Sequence, residues 1–198
     1  LVLDDDRSIL SSLERLLTTL GHVVWVFSKP EQLIVHGEPH APACLLLDNQ
    51  LGEKVRGVDV HADLRQRGWE IPTVFITAHW DVRLVVEVMR AGADGFITKP
   101  YHPEELVDAV GQALRRSAQS VRISSHAQEA RARAATLTSR ERDVVTLVAS
   151  GLLNKEIADR LGIALVTVKV HRGRAMVKLG ARNPAELSLI ASQAGLVG

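Results

Sequence analysis

Three carboxylates stand side by side near the start of the chain, Asp4, Asp5 and Asp6 in "LVLDDDRSIL". Two like charges about 4 Å apart repel by roughly 4 kcal/mol at the effective dielectric of a protein surface, so the cluster calls for a cation or an exit to water. Other polar groups close apolar runs at the same register: Asp48 after "CLLL", Thr77 after "TVFI", and Lys99 with Pro100 after "GFIT". A set of carboxylates with waters matches Mg²⁺, which takes hard oxygen ligands and keeps part of its hydration shell. A carboxylate at the centre can act as a nucleophile toward a phosphoryl group, while Mg²⁺ and a lysine neutralise charge on the transferring oxygens. The Thr77 hydroxyl can donate a hydrogen bond to one of those oxygens, and Pro100 restrains the backbone that aims Lys99. Asp6 has a better use as the cap of a helix beginning at Arg7.

These residues are scattered from position 4 to position 99, so the elements between them must bring them to one crevice. Short apolar runs, "LVL", "VVWVF" (23–27), "CLLL" (44–47), "TVFI" (73–76) and "GFIT" (95–98), alternate with segments of helical period. The first helix carries Leu10, Leu13, Leu16, Leu17 and Leu20 at three- and four-residue steps and stops at Gly21. Continuous apolar strands between helices predict a parallel sheet buried on both faces. Five of them predict an α/β, doubly wound, flavodoxin-like five-stranded sheet over residues 1–117, with ligands gathered at the carboxyl edge.

After Leu114 the pattern dissolves into "RRSAQSVRISSHAQEARARAATL", and residues 118–136 are expected to be a linker whose Ala and Arg content supports helix over part of it. Helical segments then follow at roughly 139–150, 154–161, 165–179 and 184–194, an all-α domain over 137–198. Ile157, Ala158 and Leu161 form the apolar face of a short helix, Gly162 allows a tight turn, and Val166, Val168, Met176 and Leu179 recur on a longer one. That is the helix-turn-helix plan, whose second helix enters the major groove. Lys169, His171, Arg172, Arg174 and Lys178 crowd that second helix, and Asn154 and Lys155 open the preceding one, where side chains and a helix N-terminus suit phosphate. Charge divides the same way. Residues 1–115 hold 11 Lys and Arg against 17 Asp and Glu, while residues 137–198 hold 9 against 5, as expected of a metal-binding or regulatory module joined to a nucleic-acid reader.

The motifs "LVLDDDRS", "LLLDNQLG", "FITAHWD" and "GFITKPY" resemble the receiver domain of two-component response regulators. The resemblance implies that Asp48 accepts a phosphoryl group from a sensor histidine kinase, that Asp5 and Asp48 bind Mg²⁺ with the backbone carbonyl of Gln50, and that Asp4 helps through water. It implies also that Thr77 and Phe96 form the switch, Thr77 drawn to the phosphoryl group and the ring of Phe96 turning inward. Where the family commonly has a proline four residues after the acceptor, this chain has Gly52, and "GEKVRG" is one residue longer and more charged before Gly57. Gln50 and His79 stand where side chains tune dephosphorylation in the family.

The stretch "LTSRERDVVTLVASGLLNKEIADRLGIALVTVKVHRGRAMVKLGARNPAEL" resembles the LuxR-type helix-turn-helix of the FixJ/NarL class. It implies that Lys169 and Val170 face base edges with Gly173 near the groove, and that Thr167, His171, Arg172 and Arg174 lie close to the DNA backbone. Ala164 stands where the family usually has Ser, which removes an N-cap from the recognition helix. The full-length resemblance implies a transcription regulator of promoter DNA rather than an enzyme, a homodimer when phosphorylated or DNA-bound. Its last helix, with Leu187, Leu189, Ile190 and Ala191, is a candidate for either the dimer surface or plain core.

Two other functions compete. An aspartate-based phosphatase of the haloacid dehalogenase type would use Asp4 and Asp6 as Asp-x-Asp, but it needs a further acidic pair after the lysine, where a basic helical tail follows instead. A phosphorylation-independent DNA binder could retain a vestigial receiver. Other chemistry is not indicated: Cys44 is alone in an apolar run, eight histidines lack metal-ligand spacing, and no Gly-rich phosphate loop occurs. Trp25, Trp69 and Trp80 are expected as packing or rim residues. No run of about 18 uncharged apolar residues occurs and no secretory pattern opens the chain, although the missing initiator Met points to trimming, so a cytoplasmic protein without a membrane partner is expected.

Overall fold

Successive residues of an extended strand face opposite sides of a sheet, and here both sides are dry. Leu3, Leu45, Leu47 and Phe75 are buried in one core, Val2, Leu46, Val74 and Ile76 in the other. Burial on both faces is why the strands read as unbroken apolar runs. The computed structural model describes residues 1–39, 42–79 and 81–197; Trp80 therefore lies outside the described residues. The chain divides into two units, Leu1–Val121 and a second beginning at Arg122.

In chain order the first unit contains β1 (Val2–Leu3), α1 (Arg7–Thr19), β2 (Val26–Phe27), α2 (Pro30–His36), β3 (Leu45–Asp48), β4 (Gln50–Leu51), β5 (Val55–Arg56), α3 (Gly57–Gln66), β6 (Thr73–Thr77), α4 (Val82–Arg90), β7 (Gly95–Thr98) and the start of α5 (Pro103–Ala135). The main sheet is parallel with order β2-β1-β3-β6-β7, the doubly wound arrangement expected. Its first face packs on Leu33, Val58 and Leu64, its second on Leu10, Leu13 and Leu17 of α1 with Leu106 and Val110 of α5. As expected, Asp6 caps α1, its carboxylate accepting from the Ser8 amide at 2.7 Å. Cys44 is a free, buried thiol and Trp69 is buried, while Trp25 is a rim residue.

Three local readings change. The strand within "VVWVF" is short, Val26–Phe27 with the Trp25 carbonyl accepting from the Val2 amide, and Val23 is exposed; β2 is the edge strand and lacks a second neighbour. The segment after Asp48 forms an antiparallel hairpin of β4 with β5, which no periodicity announced. The stretch read as a linker lies in one unbroken helix, α5, until Ala135. Its Ala, Arg and Gln are strong helix formers, and Ala130 and Ala134 are buried.

The second unit continues with α6 (Ser139–Ala149), α7 (Asn154–Leu161), α8 (Leu165–Leu179) and α9 (Pro184–Gln193), within one residue of the expected bounds at every end. Gly162 takes the left-handed conformation, φ +65°, that ends α7 and turns the chain into α8. Val144, Val145, Ile157, Val168, Leu179 and Leu187 form its core. Among the described residues, no helix is long and apolar enough to cross a membrane.

Candidate functional site

Parallel pairing brings the polar strand ends together. Asp48 pairs with Ile76 and Thr77 with Thr98, and the Lys99 amide donates to the Thr77 carbonyl at 2.8 Å. Asp4, Asp5, Asp6, Asp48, Gln50, Thr77 and Lys99 line one cleft of about 420 Å³, with Gly52, Glu53 and His79 at its rim. The Lys99 ammonium donates to Asp4 Oδ2 at 2.7 Å and to Asp48 Oδ2 at 3.3 Å, so it bridges two buried carboxylates. Burial works against the Lys99 charge, but Asp4 and Asp48 outweigh it and hold its pKa above the ordinary range. Burial also pushes the Asp48 carboxyl up; Lys99 pulls it back and Asp4 pushes it further.

The cleft meets the requirements of a hard cation. One oxygen from each of Asp4, Asp5 and Asp48 lies within 4.8 Å of the others. Asp48 Oδ1 is buried with no hydrogen-bond partner, a lone pair the fold leaves unanswered. Three carboxylates against one ammonium leave the cleft negative, and all the donors are oxygens, as Mg²⁺ prefers.

The two switch residues lie on neighbouring strands, Thr77 at the end of β6 and Phe96 in β7. Thr77 is 1% exposed; its hydroxyl donates to the His79 carbonyl at 3.1 Å and accepts from the His79 amide at 3.3 Å. Its single hydrogen is thus engaged by the His79 carbonyl. The Phe96 ring is half-buried against the core that holds Phe75. Gln50 opens β4 with its side chain exposed. Asp6 Oδ1 accepts from both the amide and the hydroxyl of Ser8.

Sequence reasoning missed the part of the site built by backbone. The Gly52 amide donates to Asp5 Oδ2 at 2.9 Å. Gly57 passes so close to the strand end that a Cβ there would stand 2.2 Å from the Asp48 carbonyl oxygen. Its amide donates to the Asn49 carbonyl at 2.7 Å, and Asn49 Oδ1 accepts from the Val58 amide at 3.2 Å. The two glycines flanking "EKVR" were the only signal.

In the second unit, α8 buries Val168, Ala175 and Leu179. That puts Lys169, Val170, Gly173 and Arg174 on the exposed side, with Thr167, His171 and Arg172 half-buried beside them. Ala164 provides no side-chain cap, as its replacement of Ser led one to expect. At α7, Lys155 is exposed and Asn154 Oδ1 accepts from Arg172 at 3.0 Å, linking two expected phosphate-facing residues.

Lys178 is exposed one turn beyond Arg174. Its ammonium donates to Glu141 Oε2 at 2.6 Å and to the Thr136 carbonyl at 3.1 Å. Lys178 and the Thr138 amide hold the Glu141 pKa down to about 2. Lys178 thus also serves as the cation for the carboxylate that the capping box of α6 buries. On α9, Leu187 and Ala191 are core and Leu189 is exposed, which divides the expected dimer residues.

An α/β signal-receiving domain with an acidic phosphoryl-type cleft, joined to a helix-turn-helix, is the class that fold and site define. Residues 1–111 match the family described as response regulator receiver domain, and residues 135–191 match bacterial regulatory proteins, luxR family. Nodulation protein W of Bradyrhizobium diazoefficiens is 35% identical over 98% of this chain and 86% of its own length. Transcriptional regulatory protein FixJ of Azorhizobium caulinodans is 34% identical over 98% and 92%. Among solved structures, the response regulator StyR superposes with a TM-score of 0.83 at 37% identity, covering 97% of this chain and 96% of that one. The chain belongs to the response regulators of the FixJ/NarL class: it is a two-component transcription regulator switched by phosphorylation.

Proposed function

We propose that Asp48 is the phosphoryl acceptor and that the cleft around it is a Mg²⁺-dependent phosphoryl-transfer site. The observation that carries this reading is the buried, unpartnered Asp48 Oδ1 beside an ammonium shared with Asp4. An Asp48 oxygen attacks the phosphorus carried by a kinase histidine; the new P–O bond forms as the P–N bond breaks, and the imidazole nitrogen keeps that electron pair. Asp5, Asp48 and the Gln50 carbonyl, with Asp4 through water, would hold Mg²⁺, which would supply positive charge for the transferring oxygens. Lys99 sits within reach to neutralise a further oxygen. The Thr77 hydroxyl then exchanges the His79 carbonyl for a phosphoryl oxygen, and Phe96 turns into the space released.

The output is binding to promoter DNA as a homodimer. Lys169 and Val170 read base edges close to Gly173, while Asn154, Lys155, Thr167, His171, Arg172 and Arg174 hold phosphates. Leu189 on α9 supplies the apolar contact between copies, the last helix offering no other large exposed hydrophobe. Incubation with Mg²⁺ and radiolabelled acetyl phosphate tests the centre of this reading. Wild type should take label and Asp48→Asn should not; equal labelling removes Asp48 from the role. A regulator with a vestigial receiver would bind promoter fragments equally with and without the phosphoryl donor.

A further inference from the structure

We infer that the Gly52 amide is a positioning group for the cation, which it serves by holding the Asp5 carboxylate; this rests on the Mg²⁺ reading of the cleft. Asp5 is the exposed member of the acidic trio, and an exposed carboxylate on a short side chain has several rotamers open to it. Its neighbours Asp4 and Asp48 offer it like charge. Asp4 is held by Lys99 and by the Asp6 amide, donating at 2.9 Å, and Asp48 is buried beside Lys99. For Asp5 the corresponding restraint is the Gly52 N–H at 2.9 Å.

The donor is itself rigidly placed. Gln50 pairs with Arg56 and Leu51 with Val55, so the hairpin is closed just beyond Gly52, and Leu51 is buried. Gly57 seats the returning strand against the Asp48 carbonyl, where a Cβ has no room. Gly52 has φ +74°, a conformation that turns the chain here and that L side chains seldom adopt. A carboxylate has about four lone-pair directions, and one amide occupies one of them, which leaves Asp5 free to ligate while its rotamer is chosen in advance. Ordering the ligand before the ion arrives lowers the cost of binding, the usual effect of preorganisation.

The test is a calorimetric titration of the full chain with MgCl₂ alone, without any phosphoryl donor, on wild type, Gly52→Asn and a chain in which glycolate replaces Gly52. Asn keeps the N–H and tolerates positive φ, whereas the glycolate ester removes the N–H and leaves the backbone free to take φ +74°, which the ring of a proline would forbid. Loss of one hydrogen bond to a charged group should weaken Mg²⁺ binding by the ester about fivefold or more, with Gly52→Asn within about twofold of wild type. Wild-type affinity without the N–H overturns the proposal and leaves the Mg²⁺ site standing. Equal weakening by Asn and by the ester overturns it as well, since conformation rather than the amide would then be responsible. No Mg²⁺ binding by wild type overturns the reading of the cleft itself.

Discussion

His61 shows how a single buried group ties stability to pH. It lies 2% exposed on α3, edge-on to the Phe75 ring with centroids 5.6 Å apart, and its Nδ1 has no partner. Burial lowers its pKa below 6.5; the nearby Arg65 adds to this and Asp94 opposes it. The unfolded imidazole takes up its proton near pH 6.5 and the folded one only at lower pH, so the unfolded chain binds more protons in that window. Stability on this account is full above pH 6.5 and falls as the pH drops toward the folded pKa. Urea unfolding of His61→Leu should therefore vary less with pH below this point than wild type; parallel curves would assign the effect to another group. The two lysines of α8 divide by the same kind of reasoning. Lys178→Ala leaves buried Glu141 without its cation and should lower stability by about 1–2 kcal/mol in chemical unfolding. Lys169→Ala should do the reverse, leaving the unfolding midpoint in place and weakening affinity for a chosen promoter fragment.

At the level of elements, the connection from β3 to α3 is where packing tolerates least. Gly57→Ala places a methyl 2.2 Å from the Asp48 carbonyl oxygen and 2.8 Å from the Asn49 Cα, so the strand end must shift. A loss of about 3 kcal/mol is expected in chemical unfolding, together with slower labelling by acetyl phosphate. Gly173 is the opposite case. It lies inside α8, and a Cβ there meets nothing within 4 Å, so nothing in the fold requires a glycine. Gly173→Ala should raise stability by about 0.5–1 kcal/mol through helix propensity. If α8 approaches DNA closely at this point, as proposed, the added methyl weakens DNA binding in a gel-shift assay even as the protein becomes more stable. These elements also differ in how far they were legible. The leucines of α1 and the helices of the second unit follow a 3.6-residue period, a local property. The hairpin of β4 with β5 follows no period, and the close approach of Gly57 to Asp48 beside it is a through-space fit that side-chain pattern does not show.

For the whole molecule, the prediction concerns coupling between phosphoryl chemistry and DNA. With Lys155, Arg172 and Arg174 on phosphates in each of two copies, log K against log salt should have a slope of about −5. Phosphorylated protein should bind promoter DNA more tightly than the Asp48→Asn variant treated with the same donor, and should sediment as a larger species; identical affinity and mass would separate the receiver from the output.

Sequence by itself determined the parallel order of strands and helices, the polar residues that end β1, β3, β6 and β7, the cap at Asp6 and the bounds of α6 to α9. Each of these depends on side-chain period or on the chemistry of neighbouring residues. Tertiary structure alone decided which charges meet. Lys99 bridges Asp4 and Asp48, Lys178 of α8 pairs with Glu141 of α6, and the Gly52 amide reaches Asp5. Such pairings depend on distance through space and on what burial leaves unpaired, and a backbone N–H, common to nearly every residue, carries no mark in the sequence of the partner it will find.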